Sequence, residues 1–176
     1  MNWRSPRELC GTVPFLTNIT IPPMKTLILL DLDHTLIYGS FAPSESAPLL
    51  FEYSQYLKVY ERPHAHQFIQ HLQELGDIIV FTTAKEDYAL TICELLEICP
   101  NQLLSRKDCK KVGDGFLKVL KKNWLNTYQK ILIVDDSPNV WKTPPSDSIH
   151  WIVPSEFRGE VADDGLLTCM DSLASI

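Results

Sequence analysis

Four short apolar runs punctuate this chain, and the first three lead into polar residues. Thr26–Leu32 (TLILLDL), Asp77–Thr82 (DIIVFT) and Lys130–Val134 (KILIV) have the near-continuous apolar pattern of strands buried on both faces, and Ile149–Val153 (IHWIV) makes a fourth. Helical spacing fills the gaps. Pro63 suits a first helical position, Phe68, Ile69, Leu72 and Leu75 share one face, and Gly76 suits the stop. Tyr88, Ile92, Leu95 and Leu96 mark a second helix, which Pro100 cannot continue. Phe116, Leu117, Leu120 and Trp124 predict a short third helix, and Asp164–Ala174 an amphipathic fourth. Leu49–Tyr53 and Tyr56–Glu61 read as two short strands of a hairpin, after a loop over Gly39–Pro48. Residues 1–24 are punctuated by proline and have no period, so an N-terminal arm is expected there, with a single domain over 25–176. Strands alternating with helices predict an α/β fold around a central parallel sheet.

The composition narrows the classes without naming a function. The 176 residues are 45% hydrophobic and 22% charged, which fits one globular domain and excludes collagen, coiled coil and wholesale disorder. Sixteen Lys and Arg against 22 Asp and Glu give a formal charge of −6, which argues against broad nucleic-acid binding. No stretch approaches a membrane span, and no signal peptide is evident. The five cysteines are odd in number, widely spaced and free of any CxxC, so an intracellular, cytoplasmic setting is expected rather than a disulfide framework.

The ends of the apolar runs carry the chemistry. The first leads into Asp31-Leu32-Asp33-His34-Thr35, the second into Thr82, and the third into Asp135-Asp136-Ser137-Pro138. A parallel sheet gathers these residues at the carboxyl ends of its strands, where open α/β sheets bind ligands. Carboxylates crowded there repel one another unless a cation sits among them, so Asp31, Asp135 and Asp136 point to a hard divalent ion, Mg²⁺. Asp31 and Asp33, two apart in an extended segment, can face one phosphorus atom. One can attack as a nucleophile while the other moves protons to the leaving group and from water. Thr35 is expected to brace the loop through the backbone. Asp-x-Asp-x-Thr alone is a common turn sequence. Its occurrence with the Asp pair and Thr82, each after a buried strand, is what favours a site.

These residues resemble a known family. DLDHTL (31–36), VFTTA (80–84), a downstream lysine and VDDSP (134–138) are similar, in order, to the four motifs of the haloacid dehalogenase superfamily. ERPHAHQFI (61–69) and the Ser-Pro after the Asp pair make the chain resemble its FCP/SCP-like small CTD-phosphatase, or NIF-like, branch. The resemblance implies a Rossmann-like three-layer sandwich and a Mg²⁺-dependent phosphoprotein phosphatase working through an aspartyl-phosphate. Asp31 is then the nucleophile and Asp33 the general acid/base. The metal ligands map onto Asp31, the backbone carbonyl of Asp33, and the Asp135-Asp136 pair. Thr82 maps onto the phosphoryl-holding threonine, with Thr83 as the alternative register. Lys118 maps onto the motif lysine, with Lys110 and Lys111 competing, and Arg106 resembles a substrate-side arginine. The family also allows a nuclear location.

The intervals from Thr35 to Arg62 and from Thr82 to Lys118 are too short for a large cap domain beside the elements already placed there. An open site suits a phosphorylated serine, threonine or tyrosine of a protein or peptide better than a small metabolite. Small-molecule phosphomonoesterase, receiver-like phosphoacceptor and silent phosphopeptide-binding module stand as rival readings. A receiver domain carries its Asp pair first in the chain, whereas here it comes last. A monomer with no nucleic-acid or membrane partner is expected. His64 and His66 do not share a helical face and read as surface residues. Trp124, Trp141 and Trp151 read as packing, with Trp141 near enough to the Asp pair to line a groove. The run Arg106–Lys111 reads equally as a solvated loop or as a means of steering phosphorylated substrate.

Overall fold

The computed structural model describes residues 25–42 and 47–174; the expected N-terminal arm lies outside them. In chain order the first half contains β1 (Thr26–Leu30), β2 (Ile37–Ser40), β3 (Leu49–Glu52), β4 (Lys58–Glu61), α1 (Ala65–Leu75), β5 (Asp77–Phe81) and α2 (Glu86–Leu95). The second half contains β6 (Gln102–Leu104), β7 (Lys110–Val112), β8 (Gly115–Val119), α3 (Lys122–Thr127), β9 (Lys130–Val134), β10 (Trp141–Lys142), β11 (Ile149–Ile152) and α4 (Gly165–Leu173).

The four apolar runs do form one parallel sheet, joined by β6 at the edge beside β5, in the order β11-β9-β1-β5-β6. The alternation of side chains along each strand divides the core in two. Ile28, Leu30, Val80, Leu132 and Val134 face a layer built from α1, α2 and α4, with Phe68, Leu72, Ile92 and Leu166 fully buried in it. Leu27, Leu29, Ile79, Phe81 and Ile133 face the other way, onto Leu120, Trp124 and Trp141. The result is the three-layer sandwich expected, and the described residues of the interval before α1 form a small antiparallel sheet, β2-β4-β3.

Three expectations are corrected. Residues 116–124 are not one helix. Gly115–Val119 is β8, which pairs antiparallel with β7 and parallel with β10, and only Lys122–Thr127 is helical. The register decides this, because β8 can satisfy its backbone groups on both edges. Pro63 is not the first helical residue: α1 begins at Ala65, and His64 precedes it in the left-handed region at φ 66°. Gly76 does end α1, but in an extended conformation; a Cβ there would lie 2.3 Å from the Thr26 carbonyl oxygen, so close approach to β1 is what demands glycine. Gly39 and Ser40 belong to β2 rather than to the loop expected over 39–48.

Candidate active site

β1, β5 and β9 are adjacent, so their carboxyl ends deliver Asp31, Thr82 and Asp135 to one edge of the sheet. The Asp31 N–H donates to the Val134 carbonyl at 2.9 Å and the Asp135 N–H to the Ile152 carbonyl at 3.2 Å, continuing the ladder past the last strand residues. Both aspartates are buried. Between them stands the Lys118 ammonium, itself only 1% exposed, which donates to Asp31 Oδ1 and, at 2.6 Å, to Asp135 Oδ2. Lys110 and Lys111, the competing lysines, stand exposed on β7.

The remaining donors tie the carboxylates in place. Trp141 Nε1 donates to Asp135 Oδ2 at 2.7 Å, and the Ser137 N–H to Asp135 Oδ1 at 2.8 Å. Thr35 braces the loop across the sheet edge rather than within its own turn. Its hydroxyl donates to Asp136 Oδ1 at 3.3 Å and accepts from the Asp136 N–H at 3.2 Å. Ser137 Oγ holds the other Asp136 oxygen at 3.0 Å. Asp31 Oδ2 accepts no hydrogen bond among the described residues.

Asp33 is positioned by its own loop. His34 takes φ 62°, its ring Nδ1 lies 2.9 Å from the Phe157 carbonyl, and the Phe157 N–H donates to the His34 carbonyl at 2.8 Å. This clips the Asp31–Thr35 turn to the segment after β11. Tyr88, from the first turn of α2, donates to Asp33 Oδ1 at 2.9 Å.

The electrostatics show a pocket short of positive charge. Burial, with neighbouring Asp135 and Asp33, pushes the Asp31 carboxyl up against the pull of Lys118. Burial also raises Asp33, with the Tyr88 hydrogen bond opposing, and raises Asp136, with Ser137 opposing. Burial would lower Lys118, but Asp31 and Asp135 outweigh it and its net shift is upward. One ammonium therefore serves three carboxyl groups, Asp31, Asp33 and Asp135, while Asp136 is held by the Ser137 and Thr35 hydroxyls. Asp31, Asp135 and Asp136 can each bring an oxygen within 4.8 Å of the others, an all-oxygen donor set that fits a hard divalent cation. The Asp33 side chain is outside that set.

Thr82 is buried, and its Oγ1 accepts the Ala84 N–H at 3.0 Å, which leaves its own proton to donate. Thr83 is the threonine lining the cavity around Asp31, Asp33 and Lys118. Arg106 follows β6; its Nε donates to the Thr83 carbonyl at 2.8 Å and its guanidinium lies 5.2 Å over the Phe116 ring. Beside Asp33 a groove of about 350 Å³ runs between Arg106, Tyr88, Tyr53 and Phe41, whose ring is 82% exposed.

Two site residues escaped the sequence reading. By pattern Tyr88 is an apolar helix position and Trp141 chiefly a packing residue. The signal for both is that a buried phenol or indole needs a polar partner, and the sequence offers the aspartates as acceptors. His64 and His66 sit at surface positions beside Asp164 and Glu61, at 3.9 and 3.6 Å.

Comparison with known proteins bears on this geometry. The chain is 32% identical over 121 residues to CTD small phosphatase-like protein 3 of Caenorhabditis elegans, covering 63% of this chain and 40% of that protein. It is 29% identical over 132 residues to Phosphatase Herzog of Drosophila melanogaster, covering 71% and 37%. It is 26% identical over 132 residues to human carboxy-terminal domain RNA polymerase II polypeptide A small phosphatase 1, covering 71% and 50%. The chain thus spans half or less of the length of these relatives. The solved structure of Fcp1, an essential RNA polymerase II CTD phosphatase, superposes with a TM-score of 0.52 at 20% identity, covering 86% of this chain and 48% of that one, and shares the fold. The family model of the NLI interacting factor-like phosphatases matches residues 25–176, from the lysine before β1 to the last residue, and the chain belongs to that family.

Proposed function

We propose that this chain is a Mg²⁺-dependent phosphoprotein phosphatase that removes phosphate from serine or threonine side chains, with tyrosine as the alternative, through a phosphorylated Asp31. The observation that carries the reading is the pairing of functions on one turn. Among the described residues nothing hydrogen-bonds Asp31 Oδ2 while Lys118 engages Oδ1, and Asp33 stands two residues on, its carboxyl raised by burial.

Asp31 Oδ2 attacks phosphorus, and the bond from phosphorus to the ester oxygen breaks. Asp33, whose carboxyl burial shifts toward the protonated form, gives a proton to the departing alkoxide. The Thr82 hydroxyl and the Lys118 ammonium hold the transferring phosphoryl oxygens. In the second half Asp33, now a carboxylate, takes a proton from water, whose oxygen attacks phosphorus. The bond to Asp31 breaks and phosphate leaves. Asp31, Asp135, Asp136 and the Asp33 carbonyl would hold Mg²⁺, which when bound supplies the positive charge that the carboxylates and phosphoryl oxygens lack. Arg106, at the mouth of the open groove, is placed to meet the substrate. Cys93, Cys99, Cys109 and Cys169 are free thiols, which suits a reducing compartment, cytoplasm or nucleus, and we read the chain as a monomer.

The decisive experiment is hydrolysis of p-nitrophenyl phosphate with and without Mg²⁺, followed by a panel of phosphoserine, phosphothreonine and phosphotyrosine peptides and sugar phosphates. Metal-dependent turnover that favours the serine and threonine peptides is expected. Turnover of sugar phosphates with none of any peptide overturns the substrate class.

Tyr88 gives a pH test of the Asp33 assignment. Its hydrogen bond stabilises the Asp33 carboxylate, so Tyr88→Phe raises the Asp33 carboxyl further and keeps it protonated to higher pH. The alkaline limb of kcat/KM for a phosphoserine peptide should therefore move to higher pH. An unmoved limb means that Asp33 is not the acid.

A further inference from the structure

The β7–β8 ribbon arranges cations in a direction that the catalytic cycle does not use. Phe116 and Lys118 are two apart on β8 and share a face. Lys111 is directly opposite Phe116, and Trp141 of β10 is opposite Lys118, so all four side chains lie on that face. Burial falls along it, from Lys118 at 1% exposure, through half-buried Phe116 with Arg106 stacked upon it, to exposed Lys111. Lys110 pairs with Leu117 and points to the opposite face.

The outer cations have no counter-ion among the described residues, although Arg106 is fixed by the Thr83 carbonyl and the Phe116 ring. Lys107 is held by Glu86 at 2.6 Å, whereas Lys85, Arg106, Lys110 and Lys111 have no ion pair among the described residues. Neither Asp108, which accepts the Ser105 N–H at 2.9 Å, nor Asp114, in the exposed β7–β8 turn, forms an ion pair with them. A protein with a net charge of −6 thus keeps two cations without a counter-ion among the described residues, Arg106 and Lys111, on the way out of its site.

We infer that this line, ending at Lys111, binds a second anionic group of the substrate, a carboxylate or phosphate on the same peptide as the reacting phosphate. The inference rests on the phosphatase reading and deepens it. Two strand residues and one cross-strand step place Lys111 ~8 Å from Lys118 at the Cβ atoms. An extended peptide advances ~3.3 Å per residue, so the second anion belongs two to four residues from the phosphorylated one. Discrimination comes from complementary charge at an exposed site, so it is modest and sensitive to salt.

The test is the affinity of peptides carrying a non-hydrolysable phosphonate analogue of phosphoserine, measured by fluorescence anisotropy with the full chain and Mg²⁺. One peptide has neutral flanks, one has glutamates two to four residues away on either side, and one has a second phosphoserine there. The anionic peptides should bind roughly three- to tenfold more tightly than the neutral one at low ionic strength. Lys111→Gln should bring that ratio to about one, whereas Lys110→Gln, on the other face, should keep it. A gain only for the second phosphate, or for both anions, tells which source is read; either supports the inference. Equal affinities for all three peptides overturn it, as does equal loss in the two variants. Tight binding of a single-stranded RNA oligonucleotide that Lys111→Gln abolishes, without any peptide preference, also overturns it. Hydrolysis of p-nitrophenyl phosphate by the unaltered chain is followed separately. Its absence defeats the phosphatase reading, while the affinity ratio still decides the second anion.

Discussion

Asp31→Asn should lower kcat for p-nitrophenyl phosphate by on the order of 10⁴-fold or more, with little change in fold. The amide removes the nucleophilic carboxylate oxygen but keeps the side chain's size, and Lys118 retains Asp135 at 2.6 Å. Circular dichroism and a thermal melt check that the variant is folded. Asp33→Asn should behave differently. Nitrophenolate leaves without help from an acid, so the first half-reaction survives and one equivalent of product is released per enzyme. The second half lacks its base, so the phospho-enzyme accumulates and steady turnover collapses. A rapid burst followed by a slow phase in stopped flow, with hydroxylamine-labile phosphate on the protein, is therefore expected. Full activity in Asp31→Asn would remove the covalent pathway from consideration.

The largest stability effect should come from Arg62, a residue away from the reacting atoms. Its guanidinium is completely buried and meets Asp163 with two parallel bonds of 2.8 and 2.9 Å. It also donates to the Thr35 carbonyl at 2.9 Å and to Ser155 Oγ at 3.0 Å, with the Phe157 ring 5.3 Å away. Either Arg62→Ala or Asp163→Ala leaves the partner buried without a counter-charge, which costs about 3–5 kcal/mol. Urea unfolding followed by tryptophan fluorescence measures it. Arg62→Met with Asp163→Leu should recover part of that loss, because no lone charge remains buried. A loss below about 1 kcal/mol in both single variants would show the pair to be dispensable. Because the Thr35 carbonyl is one of the anchors, activity should fall with stability in the single variants, as Asp136 loses a well-placed brace.

How far the sequence was legible depends on where each element gets its stability. β1, β5 and β9 are buried on both faces and so advertise themselves as apolar runs. β6 (Gln102–Leu104) and β10 (Trp141–Lys142) are two or three residues long and exist because a neighbour offers them a ladder, which no local pattern records. Residues 116–124 misled for a related reason. Phe116, Leu117, Leu120 and Trp124 fall at near-helical spacing, yet two of them belong to a strand and two to the turn and helix after it. Asp31, Asp33, Asp135 and Asp136 were legible because strand ends in a parallel sheet converge. Lys118 was legible only through the family pattern, since three lysines compete and only the pairing of β8 brings one of them to Asp31. Tyr88 and Trp141 were hidden by their own apolar bodies, which satisfy the core pattern as phenylalanine would.

The position of β1 has a consequence for how the molecule is made. Its neighbours on either side are β5 and β9, with Leu27 beside Asp77 and Ile131. A ribosome releases β1 before either partner exists, so the strand that ends in Asp31 waits as an unpaired greasy segment while the rest of the chain is translated. Its pairing with β9 is non-local and correspondingly slow to form. During that interval TLILL is the stretch on which a chaperone would settle.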